Sequence, residues 1–92
     1  MAKSHALSQV DVQATMIKII KTEMKVGLTF AAIALQTHDR TKRQRNRRNA
    51  RLAYDTVMRY CKALRFSDED EREIQSCGAR LKAALQQLGE SV

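Results

Sequence analysis

The chain has 92 residues, a formal net charge of +7, no proline and three glycines, and its only aromatic residues are Phe30, Tyr54, Tyr60 and Phe66. That length allows one domain with a small core, which leaves room for a partner to supply extra burial. A proline-free, turn-poor composition argues for long helices against sheets, and the positive balance points to an anionic partner such as nucleic acid, an acidic protein surface or an anionic membrane, without choosing among them.

Residues 1–7 carry no apolar period and read as a frayed tail. Ser8, with Asp11 three residues later, reads as a capping box that opens a first helix over about residues 9–36. Two apolar stripes run along it at helical spacing. One is Val12, Met16, Ile19, Val26, Phe30 and Ile33, interrupted by Glu23; the other is Val10, Ile17, Ile20, Met24, Leu28, Ala31 and Leu35. From Met24 onward the helix is apolar over most of its circumference, the pattern of a helix covered from more than one side. Gly27 inside it points to a close backbone approach. The longest apolar stretch, Met24 to Leu35, contains Lys25 and Thr29 and is too short to span a membrane, so no membrane insertion is expected.

Thr37, His38 and Asp39 break the pattern, with Asp39 or Thr41 as the cap of a second helix over about residues 40–65. Its apolar face is Ala50, Ala53, Val57, Tyr60 and Leu64, flanked by Tyr54 and Cys61. Between His38 and Ala50 there is no apolar residue, so this stretch is either polar on all sides of a helix or not helical. Ser67 and Asp70 form a further capping box at the start of a third helix, about residues 68–88. Acidic residues at 68, 69, 70, 71 and 73 suit the positive end of its dipole. Ile74, Cys77, Leu81, Leu85 and Leu88 make its apolar face, Gly78 marks a second place for close packing, and Gly89 fits the position just past the helix end. Residues 90–92 read as a tail and residues 8–89 as the domain.

The expected fold is therefore all-α: three long antiparallel helices, a helical hairpin plus a third helix in an up-down-up bundle. In that arrangement the most apolar part of helix 1 lies beside the most charged part of helix 2. Arginine stems cover some apolar surface but not two stripes. Helix 1 is thus expected to bury its spare face in a homodimer, through Met24, Gly27, Leu28, Ala31 and Leu35.

Residues 40–51 hold seven cations and no acid: Arg40, Lys42, Arg43, Arg45, Arg47, Arg48 and Arg51. A stiff rod of guanidinium forks suits contact with phosphates on both sides of a groove, and Asn46 and Asn49 are able to add base or sugar hydrogen bonds. The segment resembles the arginine-rich helical motifs that enter RNA hairpins, in which arginines are interrupted by Gln and Asn. Three readings stay open for it: a solvated charged face, an RNA or DNA contact, or a dock for an acidic protein surface. Within one chain the acids at 68–73 are expected to meet Arg59, Lys62 and Arg65.

Catalytic and metal patterns are not found. His5 and His38 have no Cys or acid at metal spacing. Gly27, Gly78 and Gly89 are isolated, so no phosphate-cradling loop is formed. Cys61 and Cys77 lack a patterned His partner, and their offset across the turn, about 7 Å along the axis at roughly 1.5 Å per residue, would strain a disulfide. Two packed thiols and no apolar leader point to a reduced, cytoplasmic chain. No cofactor is expected and the chain is read as a non-enzyme.

Ala50–Ser67 resembles the second helix of a tetratricopeptide unit through Ala53, Tyr60, Ala63 and Leu64. The preceding helix lacks that unit's Trp, Leu-Gly and Tyr, and Ser67 and Asp68 stand where its proline would follow. The helix order also resembles microtubule-interacting and trafficking domains, without a motif specific to them. Both likenesses are of helix packing, and both imply a protein-interaction module. Two functions follow: a small nucleic-acid-associated or regulatory protein acting through residues 40–51, and, as the alternative, an interaction or scaffold module with no nucleic-acid role.

Overall fold

The computed structural model describes residues 9–92, with side chains from Val12 onward. The expected tail at 1–7 and the Ser8–Asp11 cap lie outside the described part. Three helices make up the fold: α1 (Gln9–Gln36), α2 (Arg40–Cys61) and α3 (Asp68–Gln87). The described residues form no strand, and none of their helices is long and apolar enough to cross a membrane.

Local chemistry explains the boundaries. The Asp39 carboxylate accepts from the Lys42 backbone N–H at 3.0 Å, and the Asp39 backbone N–H donates to the Thr37 hydroxyl at 3.2 Å, so Asp39 is the cap of α2. Ser67 Oγ accepts from the Asp70 backbone N–H at 3.1 Å and caps α3. The reciprocal half of the expected capping box is redirected: the Asp70 carboxylate reaches Lys21 on α1 instead. At the far end of α3, Gly89 has φ +92°. Its N–H donates to the Gln86 carbonyl at 3.0 Å and the Glu90 N–H to the Leu85 carbonyl at 2.9 Å, the paired bonds of a Schellman turn.

α2 ends four residues before the expected position 65. After Cys61 the chain turns at Lys62 and Ala63, and Leu64 and Phe66 reach the core from outside the helix. Leu64, which continues the helical spacing of the α2 face, is thereby packed by a loop.

α1 is the spine. Ile20, Met24, Gly27, Ala31 and Ala34 are buried along one line of it, against Ala50, Ala53 and Val57 of α2 and Ile74, Leu81 and Leu85 of α3. A Cβ placed on Gly27 would lie 3.0 Å from the Ala53 Cβ and 2.9 Å from Leu81 Cδ2, so all three helices meet there. Gly78 is different: a Cβ there would sit 3.5 Å from Met24 Cε and 3.9 Å from Met58 Cε, ordinary contact with flexible side chains. The two glycines should therefore respond oppositely to alanine. Alanine gains about 1 kcal/mol over glycine in a helix interior. Gly78→Ala should keep most of that gain. Gly27→Ala should lose it to overpacking, which costs about 1–3 kcal/mol, for a net destabilisation of about 1 kcal/mol. Urea midpoints moving up for Gly78→Ala and down for Gly27→Ala would bear this out; equal shifts would not.

The clash expected between the apolar end of α1 and the charged start of α2 is largely resolved by small residues. Ala31, Ala34 and Ala50 are each fully buried. Beside them Asn46, 6% exposed, is the buried polar side chain, and its Nδ2 donates to the Lys42 carbonyl at 2.8 Å. The amide turns back on its own helix, so α2 begins with a tolerable inner face despite its composition.

This changes the expected self-interface. Met24, Gly27 and Ala31 lie inside the chain's own core and are not free to face another copy. Leu28 is half-buried and Leu35 is exposed. The apolar surface left on α1 is the other stripe: Val12, Ile19 and Val26 are exposed, with Phe30 and Ile33 half-covered. Leu52 of α2, 64% exposed, lies beside Glu23 and Phe30 of that stripe.

Candidate nucleic-acid interface

All seven cations expected at the site lie on α2 between Arg40 and Arg51, and this stretch is helical from Arg40. The first turn of α2 contains no acidic residue. Arg40, Lys42 and Arg43 thus crowd the positive end of a helix dipole, where a cation is unfavourable and an anion favourable by about 0.3–1 kcal/mol each. Arg43 relieves part of this locally by donating from Nη2 to the Thr37 carbonyl at 3.0 Å.

The structure divides the seven into two groups. Arg47 and Arg51 are ion-paired. The Arg47 Nε meets Glu90 Oε2; Arg51 Nη1 meets Glu90 Oε1 at 2.9 Å, and Arg51 Nε meets Asp55 Oδ1 at 3.0 Å. Arg40, Lys42, Arg43, Arg45 and Arg48 are exposed and have no carboxylate at ion-pair distance among the described residues. Of the two asparagines, Asn46 is turned into the core, whereas Asn49 is half-exposed. The outward rod therefore carries five uncompensated cations and two amides, Gln44 and Asn49.

Glu90 was not foreseen as part of this region, because residues 90–92 carry no period. The available signal was Gly89: a positive φ just past α3 sends the chain back toward α2. The acids of α3 also behave differently from expectation. Asp70 and Glu73 pair with Lys21 of α1, Glu73 at 3.3 Å, and not with Arg59, Lys62 or Arg65. The Lys21 ammonium beside Asp70 holds its carboxyl below the ordinary value of 3.8, and the Arg47 and Arg51 guanidiniums hold Glu90 below 4.5. A carboxylate whose folded pKa is depressed adds stability above its unfolded pKa and loses it as pH falls through the folded value. Melting temperature should accordingly decline as pH drops below about 4.5, and the decline should be shallower in Asp70→Asn and Glu90→Gln. Parallel acid limbs in all three proteins would refute the assignment.

A concavity lies further along α2, where it faces α3. Tyr54, Met58, Cys61, Leu64, Phe66, Ile74, Gly78 and Ala79 line an apolar cleft of about 730 Å³ between α2 and α3, rimmed by Arg65, Glu71, Gln75 and Lys82. Cys61 and Cys77 are both free and half-buried, and burial pushes the Cys61 thiol up. Among the described residues, no group of three or more His, Cys, Asp or Glu side chains is placed to hold a metal ion. No protein-family model, curated protein or solved structure matches the chain.

Proposed function

We propose that this is a small, non-enzymatic nucleic-acid-binding protein that contacts phosphates through the basic start of α2. One observation carries the reading: five exposed cations without carboxylate partners stand on the first three turns of α2, and three of them, Arg40, Lys42 and Arg43, lie in the first turn, where the helix dipole disfavours a cation. An arrangement that costs the free protein stability is repaid when a polyanion binds. Phosphate contacts of this kind position a protein without reading sequence, so affinity should be general and steeply salt-dependent.

The up-down-up arrangement belongs to the same proposal. It is supported by Gly27 meeting both Ala53 and Leu81, by the Gln13 side chain accepting from the Arg65 N–H at 3.2 Å, and by Glu90 returning to Arg47. A homodimer would use the exposed stripe of α1 with Leu52, an interface that needs about 800 Å² per partner. The test is salt-titrated binding of a generic RNA and a duplex DNA, run alongside sedimentation. No binding of either at low salt refutes the nucleic-acid role, and a stable monomer at high concentration refutes the dimer.

The second reading, an interaction module for a partner helix, is favoured by the apolar cleft between α2 and α3. It predicts a partner whose binding is insensitive to salt and to the loss of the α2 cations.

A further inference from the structure

The paired cations of α2 line a cleft of about 440 Å³ with Gln44, Arg48 and Leu52, and the anions in it are the chain's own Glu90 and Asp55. Glu90 bridges two guanidiniums, one oxygen to Arg47 and the other to Arg51, with its side chain only 19% exposed. A phosphodiester offers the same acceptor set: two unesterified oxygens sharing a single negative charge. Arginine forks bind carboxylate and phosphate in the same planar, charge-assisted geometry.

Glu90 does not arrive there by chance of a loose tail. The Schellman turn fixes its backbone on α3 through Gly89 at φ +92°. Arg51 Nη1 also donates to the Ser91 carbonyl at 3.1 Å, and the Gln86 side chain donates to the Val92 carbonyl at 3.3 Å. Arg48, on the same cleft, has no carboxylate partner among the described residues. An entering phosphate group would thus find a third guanidinium already waiting.

We infer that the Arg47–Arg48–Arg51 cleft is a phosphodiester-binding site whose resident occupant is the Glu90 carboxylate, so that Glu90 competes with nucleic acid for Arg47 and Arg51. This rests on the nucleic-acid reading of α2 and deepens it. Asp55 holds the other edge of Arg51 and stays in place, orienting the guanidinium while Glu90 gives way.

The experiment measures binding of an oligoribonucleotide and of a DNA duplex across a salt series, for the intact chain, Glu90→Gln, Arg47→Ala/Arg51→Ala, and the three substitutions combined. Circular dichroism verifies that each variant is folded. Glu90→Gln should bind about tenfold more tightly at low salt, with a salt slope steeper by about one to two units, since each phosphate contact adds about 0.9. In the Arg47→Ala/Arg51→Ala background the same change should have no effect. Unchanged affinity in Glu90→Gln overturns the competition. A gain that survives in the double-alanine background also overturns it, because only a general change of charge would then be at work. The nucleic-acid reading itself is judged separately, by whether the intact chain binds and whether binding falls when Arg40, Lys42, Arg45 and Arg48 are replaced; if nothing binds at any salt, both fail together.

Discussion

Replacing Leu81 by alanine should cost about 2–5 kcal/mol, the range for deleting a fully buried leucine side chain. Leu81 is 0% exposed and stands on α3 where the three helices come together, with its Cδ2 placed against the backbone of Gly27. The surroundings cannot collapse into the gap easily. On one side is a glycine with no side chain to offer, and on another is Ala53, whose Cβ is fixed to α2. A domain of this size has about 5–15 kcal/mol in total, so the loss would approach the whole in the worst case. Urea unfolding should show a large drop in midpoint with little change in slope. Leu52→Ala, measured at a dilution where sedimentation shows monomer, is the control: at 64% exposure it should shift stability by no more than about 0.5 kcal/mol. Similar losses at the two positions would mean that the core does not lie where it is described.

The second large effect is expected on binding. Alanine at Arg40, Lys42, Arg45 and Arg48 together should reduce affinity for RNA or duplex DNA by about 100-fold or more at moderate salt, and flatten the salt slope by about three to four units. Arg47 and Arg51 are left intact because they hold Glu90 and help order the end of α3. The free protein should be no less stable, because the four side chains are exposed and two stand at the positive end of α2. Alanine is also the better helix former. Lost binding with an unchanged or higher melting temperature would separate a contact role from a structural one. Retained binding would remove α2 from the interface.

Much of the fold was legible because its punctuation is chemical. Asp39, Ser67 and Gly89 are residues whose side chains, or lack of one, satisfy helix ends, and each does so. The end of α2 was not legible, since Ala63 and Leu64 continue the apolar rhythm and nothing like glycine or proline stops it. The helix gives way there to a loop that buries Leu64 and Phe66 by another route. Gly27 declared a close approach, yet its neighbours came from two helices at once, which spacing along one chain cannot reveal.

The candidate site was legible in composition and not in pairing. The seven cations of residues 40–51 stand out on inspection, but their division into paired and unpaired depends on Glu90, a residue 39 positions from Arg51. Asn46 reads from composition as a base-contacting group, whereas in the fold it is buried with its amide bonded to the Lys42 carbonyl of its own helix. Met24, Gly27 and Ala31 lie in the core and not on an outer seam for a related reason: Gly27 on α1 and alanines on both α1 and α2 let the backbones draw close, so fewer bulky residues suffice.

The described residues span 55 × 27 × 17 Å. A plate that thin holds little more than one side-chain depth of interior beneath either broad face. A second molecule or a helix laid on such a face would meet side chains already packed from beneath, and little would be lost in arranging them.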